Sequence, residues 1–154
     1  MRYYIDTEFD GFRGPLISMA LVREDGRSLY LVMEDAADNA QDPWVKANVI
    51  PILRDSPEPP YMIGFGRGTA VRLLSTFLSG DTSLCFVSDW PDDIRHLCDL
   101  MHFAPGQMID TEATVRFEVQ RVDAYPTTLP GAVQHNAWWD AAALREKLMG
   151  SGAP

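Results

Sequence analysis

Three apolar runs joined by two short turns constrain this chain more than any other feature. Residues 2 to 9 alternate as a strand. Leu16 to Val22 is strand-like behind Gly11 and Gly14-Pro15, and Glu24-Asp25-Gly26-Arg27 turns the chain into Ser28 to Val32. Runs this short, separated by turn-forming residues, pair with their neighbours in sequence, so an antiparallel three-strand meander opens the fold. The pattern then changes to helices alternating with short apolar strands. Asp42-Pro43 supplies an N-cap acid and a first-turn proline for a helix carrying Trp44, Val45, Val49, Ile52 and Leu53, which ends before Pro57-Glu58-Pro59-Pro60. A second helix spans Thr69 to Leu78 with Gly80 closing it, an apolar strand follows at Leu84 to Val87, and Pro91-Asp92 opens a third helix to about Met101. A short strand is expected at Met108 to Asp110, while the segment 112–131 receives no assignment. The last helix has Asn136 as N-cap, Ala141, Leu144 and Leu148 as its buried stripe, and Gly150 as its stop. This order predicts an α/β fold with a mixed β-sheet and flanking helices.

The 154 residues suffice for one buried core, so a single domain over residues 1–150 with a C-terminal tail at 151–154 is expected. An acidic start at positions 6, 8 and 10 leaves no apolar core for a signal peptide, and no apolar run reaches membrane-spanning length. A cytoplasmic protein without a membrane partner is the expectation. Cys85 and Cys98 lack metal-like spacing and read as small buried hydrophobes. The formal net charge of −9 argues against a broad basic surface for nucleic acid, but not against a metal site that engages only the end of a strand.

Chemistry is concentrated in a few acids. On a strand, Asp6 and Glu8 project to one face and Ile5 and Thr7 to the other. Two carboxylates so close are unfavourable unless one keeps a proton or a cation lies between them, and a hard divalent ion with oxygen ligands is the common solution. Further along, "QHNAWWDA" (Gln134 to Ala141) holds His135 five residues before Asp140. That spacing works when the histidine lies in a loop and the aspartate in the first turn of the helix behind it. Between them, Asp89, Asp92 and Asp93 cluster where a strand hands over to a helix; at least one of these is an ordinary first-turn acid favoured by the helix dipole.

In this order, D-x-E on the first strand, an aspartate opening a middle helix and H-x-x-x-x-D at a terminal helix resemble the DEDDh family of 3′-5′ exonucleases, over nearly the whole chain. The "YYIDTEFDG" start and the "IRHLC" helix look most like its compact bacterial and phage exoribonuclease subgroup. The resemblance implies a ribonuclease H-like fold and hydrolysis of the terminal phosphodiester with two divalent ions, Mg2+ or Mn2+. It makes Asp6, Glu8, Asp93 and Asp140 metal ligands, with Asp89 as the alternative to Asp93, and His135 the general base. Phe9 and Gly11 fall where the terminal nucleotide approaches. The implied partner is the 3′ end of a single-stranded RNA, with DNA, short oligonucleotides and a homodimer left open, and a catalytically silent nucleic-acid-binding module as the alternative from another class.

The tetrapeptide Ile109-Asp110-Thr111-Glu112 repeats the "IDTE" of the start. Only Asp123 could serve it as a middle-motif acid before His135, and no helix opens behind Asp123. The second copy therefore reads as a strand end with Asp110 or Thr111 as a cap. His96 and His102, six apart on the middle helix, are expected in surface or boundary roles, and Trp138 and Trp139 in packing.

Overall fold

The opening meander forms as its alternation requires. In this computed structural model, which describes residues 1–57, 61–62, 66–109, 112–122 and 129–150, it consists of β1 (Arg2–Phe9), β2 (Leu16–Arg23) and β3 (Ser28–Val32). Asp6 lies opposite Ala20, Glu8 opposite Ser18, and Ser18 opposite Val32. The chain continues through α1 (Glu34–Asp38), α2 (Pro43–Asn48), a 3-10 turn at Ile50–Ile52, β4 (Tyr61–Met62), α3 (Arg67–Leu78), β5 (Ser83–Ser88) and α4 (Pro91–Met101). A small hairpin of β6 (His102–Ala104) and β7 (Gln107–Met108) precedes β8 (Thr114–Val119), and α5 (Ala137–Gly150) closes the described chain.

Six strands form one sheet in the order β4-β3-β2-β1-β5-β8. The meander is antiparallel, whereas β4, β5 and β8 each run parallel to the strand they join. β1 therefore sits inside the sheet, antiparallel to β2 and parallel to β5. On one face Tyr3, Ile5, Met19, Leu21 and Phe86 pack against Leu74 and Leu78 of α3 and Leu97 and Leu100 of α4. On the other, Ala20, Val22 and Tyr30 meet Val45 of α2 and Ala137 and Ala141 of α5, while Tyr4, Cys85 and Val87 meet Leu144. Each fully buried aliphatic or aromatic side chain of this kind stabilises the fold by about 1.5–3 kcal/mol relative to exposure. The mixed sheet with helices on both faces is the expected α/β architecture and is compatible with a ribonuclease H-like fold.

The helix expected across Trp44 to Leu53 is cut short. Pro51 has no N–H to give and its ring crowds the preceding turn, so the α-helix ends at Asn48 and a 3-10 turn takes over. Trp44, placed on the apolar stripe by spacing, is instead 52% exposed. The strand expected at Met108 is only Gln107–Met108 and pairs with β6 outside the main sheet. Part of the unassigned segment is β8, an edge strand. Asp110, Thr111 and Asp123, on which the reading of the second tetrapeptide turns, lie outside the described residues, as does the tail 151–154. Cys85 and Cys98 are both free thiols. Among the described residues no helix is long and apolar enough to cross a membrane.

Candidate active site

The acids converge where the carboxyl ends of the parallel neighbours β1 and β5 meet the amino ends of α4 and α5. Alternation along β1 turns Tyr4 toward Leu144 of α5, and Tyr3 and Ile5 toward α4. Asp6 shares the face of Tyr4 and is 9% exposed; Asp140, in the first turn of α5, is 7% exposed. Asp93, in the first turn of α4, is 1% exposed and reaches the strand end through Thr7, whose N–H and hydroxyl both donate to Asp93 Oδ1, at 3.1 and 2.7 Å. The other oxygen, Asp93 Oδ2, is buried without a hydrogen-bond partner. A carboxylate oxygen in that state is costly unless something else binds it.

Ligand atoms fall into two groups, each lying within 4.8 Å of one another: Asp6 with Asp89 and Asp93, and Glu8 with His135 and Asp140. Asp93 and Asp89 are thus both brought to Asp6, Asp93 buried and Asp89 half-buried. Burial, reinforced by the neighbouring carboxylates, pushes Asp6 well above the usual carboxylate range and Glu8 up to about 8. Asp93 and Asp140 rise to about 7, again mainly through burial, although hydrogen bonds from Thr7 and from the His135 backbone pull the other way. Burial and mutual repulsion thus favour the protonated form in the metal-free cluster, and a divalent cation would favour the ionised one. The buried unpartnered oxygen and a donor set of carboxylates with one imidazole fit a hard or borderline divalent ion.

His135 occupies the loop before α5 with φ of 64°, a conformation uncommon for a residue with a side chain. Its N–H donates to Asp140 Oδ2 at 2.9 Å, and its exposed ring stands edge-on to Trp44 with centroids 4.8 Å apart. Asn136 behind it is fully buried, accepts from Trp138 N–H and Trp139 N–H, and donates to the Ile52 carbonyl. Trp44 is positioned in turn by Asp42, which caps α2 through the Trp44 and Val45 N–H groups. Asp10 accepts from the N–H groups of Gln41 and Asp42. The turn after β1 and the histidine loop are thereby tied to one another through α2.

Asp6, Glu8, Phe9, Asp89, Asp93, His135 and Asp140 line one cleft of about 290 Å³, together with Thr7, Trp90 and Gln134. Gly11 is not among its lining residues. It has φ of 70°, and a Cβ there would come within 2.8 Å of Asp42 Oδ2, so the turn and this close approach account for the glycine. His96 departs from the expected surface or boundary role: it is 3% exposed and packs its ring on Phe9, centroids 5.0 Å apart. Phe9 follows Ile5 and Thr7 on the face of β1 turned to α4, which brings its ring to His96; the pairing with β2 shifts register between Glu8 and Phe9. Trp138 and Trp139 act in packing as expected, their indole N–H groups donating to Ser28 Oγ and to the Asp55 carbonyl. Sequence reasoning missed Trp90, Trp44 and the role of Thr7. Only Thr7 carried a signal, being the polar residue between the two acids of β1.

No protein-family model matches the chain. Over 55 residues it is 44% identical to a 3′-5′ exoribonuclease of Mycobacterium tuberculosis, found alike in strains CDC 1551 / Oshkosh and ATCC 25618 / H37Rv. That stretch covers 34% of this chain and 33% of each relative, so the match spans about a third of the length of these curated proteins. The partial likeness is to a nuclease and supports a nuclease reading of the acid cleft.

Proposed function

We propose that this protein is a metal-dependent 3′-5′ exoribonuclease of the DEDDh type. The observation that carries the reading is the buried, unpartnered Asp93 Oδ2 beside Asp6 in a cleft lined by acids from β1, α4 and α5. Asp6, Glu8, Asp93 and Asp140 would hold two divalent ions, Mg2+ or Mn2+, and Asp89 is within reach of the Asp6 side of the cluster. Such ions, when bound, lower the pKa of a water and offset the charge that develops on phosphate and leaving oxygen.

The protein's own groups do the rest. The His135 ring accepts the proton of the attacking water as that water's oxygen bonds to phosphorus. The bond from phosphorus to the 3′ oxygen of the penultimate nucleotide breaks, releasing a nucleoside 5′-monophosphate, and the new 3′ hydroxyl takes its proton from solvent. Asp140 holds the His135 backbone, and Trp44 limits how far the ring can swing. Phe9, held by His96, offers a ring face to the terminal base.

Incubation of 5′-labelled and 3′-labelled RNA and DNA with Mg2+ or Mn2+ tests the proposal. The expected result is a descending ladder from the 5′-labelled RNA and immediate release of labelled mononucleotide from the 3′-labelled one, both abolished by chelator. Internal cuts, undiminished trimming in excess chelator, or no cleavage of either polymer would overturn it. A stronger DNA ladder would move the assignment to a deoxyribonuclease of the same architecture.

A further inference from the structure

A second and larger cleft, of about 420 Å³, borders the acid cleft on the far side of the Phe9–His96 ring pair: Phe9 lines the one and His96 the other. Arg13, Arg67 and Arg95 line it, against two carboxylates, Asp35 and Asp99. Three guanidinium groups in one cleft stand out in a chain with 13 basic and 22 acidic residues. Their surroundings differ. Arg95 is held by Asp92 and Asp99 at 3.0 and 3.5 Å, while Arg67 gives one nitrogen to the His102 carbonyl. Arg13, at the exposed turn after β1, lies over the ring of its neighbour Phe12, 5.2 Å from the centroid. Among the described residues no carboxylate pairs with its charge. The amino end of α3 also opens here, behind Gly66 and without a side-chain cap, and adds N–H groups to the same lining.

We infer that this second cleft receives backbone phosphates of the single strand upstream of its 3′ end, so that the strand crosses the Phe9–His96 pair from the arginines to the acids. The inference rests on the exonuclease reading of the acid cleft and extends it. Guanidinium groups suit phosphate oxygens because their planar donors pair with two oxygens at once. The half-buried Phe9 ring between the clefts, backed by the buried His96, gives a base an apolar surface to stack on without reading its identity. An acidic protein gains most from such a local arrangement, since the cleft offers positive charge along one path while the rest of the surface repels the polymer.

The test uses RNA and DNA as a dinucleotide without a 5′ phosphate, whose one phosphate is the scissile one, and as an oligomer of about eight nucleotides, which carries upstream phosphates. Turnover is measured on both lengths. Affinity for the oligomer is measured separately with hydrolysis-resistant phosphorothioate linkages in the presence of Mg2+. Arg13→Glu, and separately Arg13→Gln with Arg67→Gln, should raise KM for the oligomer about tenfold relative to the dinucleotide, with kcat retained. They should also weaken oligomer binding and flatten its salt dependence, by about 0.7 in log–log slope for each phosphate no longer neutralised. Equal effects on both lengths, unchanged oligomer affinity, or no binding by the unaltered protein would overturn the inference. If the unaltered protein cleaves neither length, the exonuclease reading fails, and the oligomer affinities still decide whether the cleft binds phosphates. A comparable response with RNA and DNA would mark the phosphate as the recognised group; a response confined to RNA would require the ribose as well.

Discussion

The backbone N–H of His135 donates to Asp140 Oδ2 at 2.9 Å, so the group proposed to take the proton is held by one of the acids proposed to hold metal. The bond is made by the backbone and leaves the ring free. Replacing the ring should therefore spare the acid cluster. We predict that His135→Asn lowers turnover by about two to four orders of magnitude while Mn2+ still raises the melting temperature as in the unaltered protein. Asparagine is the appropriate replacement because it tolerates the positive φ of this position better than alanine. Loss of the metal-induced shift in a calorimetric scan would make the ring a ligand instead.

The two middle acids should separate in their effects. Asp93 has a buried unpartnered oxygen, whereas Asp89 is half-buried and borders the open cleft. Asp93→Asn is expected to abolish metal-dependent cleavage, and Asp89→Asn to retain about a tenth or more of it, because solvent can replace an outer ligand. Initial rates of both variants at saturating metal decide between them.

Thr7 offers a finer probe. Thr7→Val keeps the N–H bond to Asp93 and the side-chain volume but removes the 2.7 Å hydroxyl bond to Oδ1. A loss of about 1.5–3 kcal/mol in urea unfolding is expected, the range for a hydrogen bond to a charged group, when both proteins are compared in metal at neutral pH.

The metal-free protein should lose stability as pH rises. In the folded state Asp93 and Asp140 are pushed up to about 7 and Glu8 to about 8, while unfolded carboxylates titrate near 4. Between these values the folded chain binds more protons than the unfolded one. The stability these protons confer is complete at about pH 4 and is lost as pH climbs through 7 and 8. In chelator the melting temperature should be lower at pH 8 than at pH 5.5, and added Mg2+ should raise it most at pH 8. A flat profile in chelator would mean that the acids are not mutually strained.

The meander, the last helix and the helix at Pro91 were legible because local signals and tertiary packing agree there: alternation on β1 to β3, the Asn136 cap, the Pro91-Asp92 start. The acids Asp6, Glu8, Asp93 and Asp140 were legible through their order along the chain, which a fold-wide resemblance could register. Pro51 breaks a helix that the apolar spacing on either side of it would otherwise continue, and here the local breaker wins. β8 escapes notice although Val115, Phe117 and Val119 alternate with Arg116 and Glu118, because an edge strand so charged is easily taken for a loop. Alternation puts Phe9 on the face of Ile5 and Thr7, but the Phe9–His96 contact also needs the docking of α4 on that face, which no local pattern announces.

Asp93 and Asp140 each occupy the first turn of a helix, so α4 and α5 direct their amino ends at the same carboxylates from two sides. Each helix end carries the equivalent of about half a positive charge, felt chiefly within its first turn. The fold thus supplies a fraction of the positive charge that the acids call for, permanently and before any cation arrives. A divalent ion entering such a place would therefore meet a less negative centre than the same acids would make alone, with part of their repulsion already offset by the backbone.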